Sequence, residues 1–352
     1  MSRFLNTKYN TLIPYTPGEQ PKDERFVKLN TNESPFPPSP KAVAAAAAEA
    51  ERLQLYSDPT CKALHRNMSA LLGIGEEQVI FTNGSDEALL FAFMAFCQRG
   101  AVFADITYGF YSVFAQVTNT PYRTLPLKDD FSLDIEDYIG SKETVFIANP
   151  NAPTGLALGL GEIRRLLESD PERIVVVDEA YVDFGADSAL PLINEYDNLL
   201  VVQTFSKSRS LAGGRLGMAF GNADLIADLQ TIRYSTNPYN VNRMTMAAGA
   251  AVLEDEEYTR RNLAAIIENR AFAAEQLQKL GFEMTDSLTN FLFARHPSIE
   301  GGRVYQRLRD KGVLVRHFDT ERLREYNRIT VGSREQMEFL VDALRQITEE
   351  EI

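Results

Sequence analysis

Seven short apolar segments constrain the fold of this chain more than any other feature. They lie at 79–81, 101–104, 122–127, 145–148, 174–178, 199–204 and 218–220, with helical segments such as 86–97 and 160–169 between them. Strands that are apolar along nearly their whole length need cover on both faces. The alternation therefore predicts an α/β fold, with a mostly parallel sheet carrying helices on both sides. Ligands of such sheets bind beyond the carboxyl ends of the strands. Residues 83–85, 149–151, Asp178 and Lys207 all follow directly on candidate strands.

The two ends of the chain read differently. Residues 1–35 are polar and turn-rich, and lead into Ser34-Pro35-Phe36-Pro37-Pro38-Ser39-Pro40. Proline at this density excludes helix and sheet and predicts an extended arm. The alanine-rich stretch 41–55 predicts a helix, with Val43, Leu53 and Leu55 as apolar anchors. Beyond about residue 254 the pattern changes to a charged amphipathic helix at 258–280, strands at 291–294, 313–315 and 329–331, and a closing helix at 334–347. The expected organisation is an N-terminal arm (1–35), a large domain (36–255) and a small α+β C-terminal domain (256–352), which the length of 352 residues accommodates.

Composition removes several function classes. A net charge of −13 argues against nucleic-acid binding, so anionic small molecules would depend on local arginines. Cys61 and Cys97 have no metal-type spacing, and His65, His296 and His317 are scattered, so no metal site is expected. The start of the chain lacks a signal-peptide apolar core, and the longest apolar stretch, 88–97, is too short to cross a bilayer. The expectation is a cytoplasmic protein. A nucleotide-binding oxidoreductase would need a G-x-G-x-x-G turn after its first strand, and the sequence has none.

Lys207 carries the chemistry. It stands in Thr204-Phe205-Ser206-Lys207, just past the apolar run Leu199-Leu200-Val201-Val202, with Arg215 eight residues on. An amine placed there, among hydroxyls and near an arginine, suits Schiff-base formation beside a bound phosphate. A second strand ends in an acid, in Val175-Val176-Val177-Asp178-Glu179-Ala180-Tyr181. A lysine for an aldehyde and an acid for a pyridinium nitrogen are the two protein groups that pyridoxal phosphate chemistry requires.

Further motifs extend this pattern along the chain: Leu29-Asn30-Thr31-Asn32-Glu33-Ser34-Pro35, Thr82-Asn83-Gly84-Ser85-Asp86-Glu87, Tyr108-Gly109-Phe110-Tyr111, Asn149-Pro150-Asn151-Ala152-Pro153-Thr154-Gly155 and Arg328-Ile329-Thr330-Val331-Gly332. With them the chain resembles, almost end to end, the fold-type I pyridoxal-phosphate aminotransferases, and among these most the histidinol-phosphate aminotransferase family. The resemblance implies transamination between histidinol phosphate and glutamate or 2-oxoglutarate, by a homodimer with shared active sites. An aromatic or broad-specificity aminotransferase and a threonine-phosphate decarboxylase share the fold and cofactor and stand as alternatives.

The resemblance also implies roles for individual residues. Gly84, Ser85 and Asp86 would hold the cofactor phosphate at a helix N-terminus, where free N–H groups and the helix dipole favour anions; an ordinary turn capped by Asn83 is the structural alternative. Arg215, Thr204 and Ser206 would bind the same phosphate. Tyr108 would stack on the pyridine ring, Asn151 and Tyr181 would face its phenolic oxygen, and Asp178 would face its nitrogen. Lys207 would form the Schiff base and then move the proton. Phe110 and Tyr111 read as core, Asn149 as a turn residue and Glu179 as structural. Arg316 and Arg328 would bind the substrate's phosphate or carboxylate, since a guanidinium fork fits both, with Tyr15 and Asn290 beside them. Tyr56 would reach the partner subunit's cofactor phosphate; Ser57 replaces the family's proline in that turn, which puts its rigidity in question.

Overall fold

The computed structural model describes residues 2–20 and 26–351, so residue 1 and residues 21–25 of the expected arm lie outside the described residues. In chain order the strands are β1 (Val27–Lys28), β2 (Val79–Thr82), β3 (Ala101–Ala104), β4 (Tyr122–Leu125), β5 (Thr144–Ala148), β6 (Val175–Asp178), β7 (Leu199–Thr204), β8 (Gly217–Gly221), β9 (Glu283–Met284), β10 (Phe291–Arg295), β11 (Val313–Leu314), β12 (Arg316–His317) and β13 (Asn327–Thr330). The helices are α1 (Pro40–Ala50), α2 (Lys62–Leu72), α3 (Ser85–Phe96), α4 (Phe110–Thr118), α5 (Leu160–Glu168), α6 (Ala223–Thr236), α7 (Arg243–Leu253), α8 (Glu256–Lys279), α9 (Gly301–Asp310) and α10 (Arg334–Glu351).

Seven strands form the central sheet in the order β2-β8-β7-β6-β5-β3-β4. Their pairings are parallel except around β8, which runs antiparallel to both β7 and β2. The mostly parallel sheet expected from the sequence is therefore present, and β8 is reversed because the chain returns from β7 through a wide loop closed by the Thr204–Gly217 pair. Both sheet faces are covered, as the continuous apolar runs require. Val175, Val177, Leu199 and Val201 pack into one core cluster, while Val176, Leu200 and Val202 pack into another on the opposite face. Each such side chain contributes roughly 1.5–3 kcal/mol on burial, so neither face tolerates a polar replacement cheaply.

The helix expected over 41–55 starts at Pro40, capped by the Ser39 hydroxyl, and stops at Ala50. Proline suits this first position because its missing N–H has no partner to lose there. The expected anchors Val43, Leu53 and Leu55 are instead 54%, 58% and 51% exposed. It is the small residues Ala42 and Ala46 that face the core cluster, which lets α1 lie close against α7.

In the C-terminal part, β12-β13-β10-β9 form an antiparallel sheet. Its core joins α8 and α10 and includes Leu29 and Phe184 from earlier in the chain. The segment expected to be an arm enters this part as well. β1 pairs in parallel with β11, and Thr330 N donates to Leu29 O at 2.9 Å. Residues 30–33 are thereby carried between the two sheets.

Candidate active site

The ends of β5, β6 and β7 lie side by side, with Asp178 in register with Ala148 and Val202. Just beyond them is a cavity of about 340 Å³. Its wall is drawn from separate loops: Ser85 and Asp86 at the start of α3, Tyr108 before α4, Asp178 and Tyr181 after β6, and Thr204, Ser206, Lys207 and Arg215 around the β7–β8 loop. Lys207 Nζ is 3.4 Å from Thr31 O and 5.6 Å from the centre of the Tyr181 ring.

At one end the cavity is built for an anion. α3 begins after Gly84, which has φ +75° and gives no side-chain cap. Asn83, the cap in the structural alternative, instead gives its backbone N–H to the Glu87 carboxylate. The first N–H groups of α3 are thus left without a capping side chain, at the positive end of the helix dipole. A Cβ on Gly84 would run into the Arg215 guanidinium, and one on Gly217 into the backbone of Gly84 and Ser85. Glycine at both positions allows the close approach of loop and helix that forms this cradle. Thr204 and Ser206, both buried, donate from hydroxyl to hydroxyl at 3.0 Å. The Asp86 carboxylate accepts from Arg215 Nη2 at 3.0 Å and from the Tyr108 hydroxyl at 2.6 Å. A carboxylate repels phosphate, so Asp86 offers an anion its backbone N–H, while its side chain holds Arg215 and Tyr108 in place.

At the other end stands Asp178, 5% exposed. Burial pushes its carboxyl up to about 6, against the downward pull of the Tyr111 hydroxyl and the Ala180 N–H. Tyr111 donates to Asp178 Oδ2 at 2.8 Å. Tyr111 does belong to the core, as expected, but it is also the hydrogen-bond partner of the buried acid; its place one helical turn after Tyr108 was the available signal. An acid whose charge is costly to bury favours a cation beside it. Glu179 faces away, accepting from Ser188, Ala189 N and Gln203. Cradled N–H groups with an arginine at one end, and a buried acid at the other, fit pyridoxal phosphate.

Asn151 is bonded within the loops beside the cavity. Its amide donates to Ile106 O and to Thr154 Oγ1, both at 3.0 Å, and its oxygen accepts from Thr107 at 2.8 Å. These bonds hold the loop, and Ala152, not Asn151, lines the cavity. Asn149 is a turn residue, bonded to Leu158 through both ends of its amide.

A second cavity, of about 600 Å³, shares Thr31, Tyr108, Ala152, Tyr181 and Lys207 with the first. Tyr15, Arg316 and Arg328 line it. Tyr15 packs on Phe110 with ring centres 4.4 Å apart. Arg316 and Arg328 face each other across β12 and β13, and among the described residues neither forms an ion pair with a carboxylate. Burial pulls the Arg328 guanidinium below its ordinary value, and the Arg316 charge adds to this. Two like charges in register are unfavourable unless an anion joins them. Asn290 is fully buried behind this wall and donates to Asn32 O at 3.0 Å.

Tyr56 lines neither cavity; it is 80% exposed and stacks on Tyr239 at 4.6 Å. Its turn is ordered despite Ser57, because the Asp58 carboxylate accepts from Thr60 N, Thr60 Oγ1 and Lys62 N.

Residues 24–344 match the family "Aminotransferase class I and II". The chain belongs to the class I and II aminotransferases. Within this family it is 47% identical to a histidinol-phosphate aminotransferase of Acetobacter pasteurianus over 350 residues, covering 99% of this chain and 98% of that one. It is 45% identical to one of Brachyspira hyodysenteriae, covering 99% of both. Among solved structures, the histidinol-phosphate aminotransferase of Sinorhizobium meliloti in complex with pyridoxal-5'-phosphate shares the aminotransferase fold. Its TM-score is 0.84 at 24% identity, over 92% of each chain.

Proposed function

We propose that this aminotransferase moves an amino group between histidinol phosphate and 2-oxoglutarate, giving imidazole-acetol phosphate and glutamate, in histidine biosynthesis. The observation that carries this reading is the Arg316–Arg328 pair in a cavity that opens onto Lys207. A site for an amine with a phosphate at its far end needs a fixed double cation at a distance from the reacting nitrogen. The same planar forks accept a carboxylate, which lets glutamate use the site in the reverse half-reaction.

Pyridoxal phosphate, when bound, supplies an aldehyde for the substrate amine and a ring that accepts electrons. The N–H groups at the start of α3, with Arg215, Thr204 and Ser206, would hold its phosphate. Tyr108 would lie against the ring. Asp178, held in position by Tyr111, would keep a proton on the pyridine nitrogen. The Tyr181 hydroxyl would donate to the phenolic oxygen. Lys207 Nζ takes the proton from the amine-bearing carbon of the substrate and holds it for return.

The working form is a homodimer in the cytoplasm. Val43, Leu53, Leu55, Tyr56 and Tyr239 are exposed, with Tyr56 and Tyr239 stacked on each other, and apolar side chains left bare in this way support an interface. Across it Tyr56 reaches the partner's cofactor phosphate.

The test is a rapid-mixing comparison of the cofactor-loaded enzyme with histidinol phosphate, phosphothreonine and aromatic amino acids. Histidinol phosphate should give the largest kcat/KM. Faster turnover of an aromatic amino acid, or carbon dioxide release from phosphothreonine, rejects the assignment.

A further inference from the structure

Asn32 is 1% exposed and has φ +56°. A left-handed turn explains a preference for asparagine, glycine or aspartate at this position. It does not explain where the side chain goes. Asn32 Nδ2 donates to the Tyr181 hydroxyl oxygen at 2.9 Å. Its backbone N–H donates to Thr330 Oγ1 at 2.9 Å, and Thr330 Oγ1 donates to Asn32 Oδ1 at 3.1 Å. Thr330 fixes which way the amide faces. Its hydroxyl is buried, already accepts the Asn32 N–H, and among the described residues has Asn32 Oδ1 as the acceptor for its own proton. The amide oxygen therefore faces Thr330 and the nitrogen faces Tyr181.

An N–H on the Tyr181 oxygen has a directional consequence. That lone pair is occupied, so the Tyr181 proton turns away from Asn32 and is free to be donated to a ligand in the cavity.

We propose that Asn32 is a positioning residue that sets the direction in which Tyr181 donates its proton, holding that donor for the anionic oxygen of the cofactor ring. This rests on the assignment of Tyr181 as the partner of that oxygen. Asn32 also lines the second cavity, but in this role it acts through Tyr181.

Two variants separate it from a turn residue. Asn32→Gly keeps the backbone conformation and removes the donor. Asn32→Asp keeps the shape and the left-handed turn, but its carboxylate can only accept, so Tyr181 must donate to it and lose its proton direction. Both are measured as the cofactor-loaded enzyme, alone and combined with Tyr181→Phe. The readouts are kcat, pyridoxal phosphate affinity, and the pH midpoint of the visible absorption of the bound cofactor. We expect kcat to fall about threefold for glycine and about tenfold or more for aspartate, the scale of one hydrogen bond lost or misdirected. The midpoint should move up in both, because a ring oxygen that loses its donor becomes more basic. Neither substitution should add to the effect of Tyr181→Phe. A wild-type midpoint and kcat in Asn32→Asp, or losses that persist in full on the Tyr181→Phe background, would overturn the proposal while leaving the role of Tyr181 intact. A neutral Tyr181→Phe would remove that role, and this inference with it.

Discussion

Replacing Arg328 with leucine should damage binding while sparing stability, a combination that a structural arginine does not give. Arg328 faces Arg316 directly across two antiparallel strands. At an assumed separation of about 6 Å and an effective dielectric constant of about 20, two unit charges repel by roughly 3 kcal/mol. Against this, among the described residues the side chain makes one hydrogen bond to the protein, from Nη2 to Asn30 O at 3.1 Å, worth about 1.5–3 kcal/mol for a charged donor, so the two roughly cancel. Arg328→Leu also removes a guanidinium whose burial is unfavourable. Folding stability should therefore stay within about 1 kcal/mol of wild type or rise, where breaking a paired buried ion would cost about 3–5 kcal/mol. Binding should respond in the opposite sense. Each charge-assisted bond to an anion contributes about 1.5–3 kcal/mol, so affinity should fall by about tenfold to a hundredfold or more, for the phosphate of histidinol phosphate and the carboxylate of glutamate alike. Single-turnover measurements with each substrate, and thermal unfolding at matched protein and cofactor concentrations, give the two quantities. A loss confined to one substrate would contradict a shared anion site and move the weight to Arg316. A drop of several degrees in the unfolding midpoint would make Arg328 a structural residue.

Three further outcomes follow from the site. Borohydride reduction of the cofactor-loaded enzyme, followed by peptide mapping, should place the label on Lys207; label on another lysine contradicts the reading. Asp178→Asn should still bind cofactor but turn over slowly, each tenfold loss corresponding to about 1.4 kcal/mol of barrier. Because burial raises Asp178 to about 6, the folded cofactor-free protein holds this proton more tightly than the unfolded chain. This group's contribution to stability therefore declines as pH rises from about 4 through about 6, a decline that Asp178→Asn should remove from the pH–stability curve; an unchanged curve would show that Asp178 does not titrate there. Mixing inactive Tyr56→Phe and Lys207→Ala subunits should restore activity toward half of wild type per mixed dimer, and no recovery despite subunit exchange would show that Tyr56 does not serve the partner's site.

Much of the architecture was legible because it depends on local pattern. Apolar runs in β5, β6 and β7 needed cover on both faces, and their ends had to present Asp178 and Lys207 to one edge of the sheet. Arg215 and the Gly84-Ser85-Asp86 turn could be found in the same way, since loop chemistry next to a strand survives in the sequence. The helix over 41–55 was misjudged at its end, because Leu53 and Leu55 look like core anchors in a single chain and yet remain exposed.

What tertiary structure decided was the direction of side chains and the pairing of distant ones. The Asn151 motif says nothing of the loop carbonyl of Ile106 and the Thr154 hydroxyl that its amide meets in the fold. Tyr111 looked like filling, and only its packing against Phe103 of β3 and Phe146 of β5 turns its hydroxyl onto Asp178. Asn32 and Thr330 lie 298 residues apart, and their contact exists because β1 pairs with β11 and Leu29 O accepts from Thr330 N. Local pattern fixes which backbone a residue sits on. The direction of a hydrogen bond depends on every neighbour competing for the same donor, and those neighbours are assembled only by the fold.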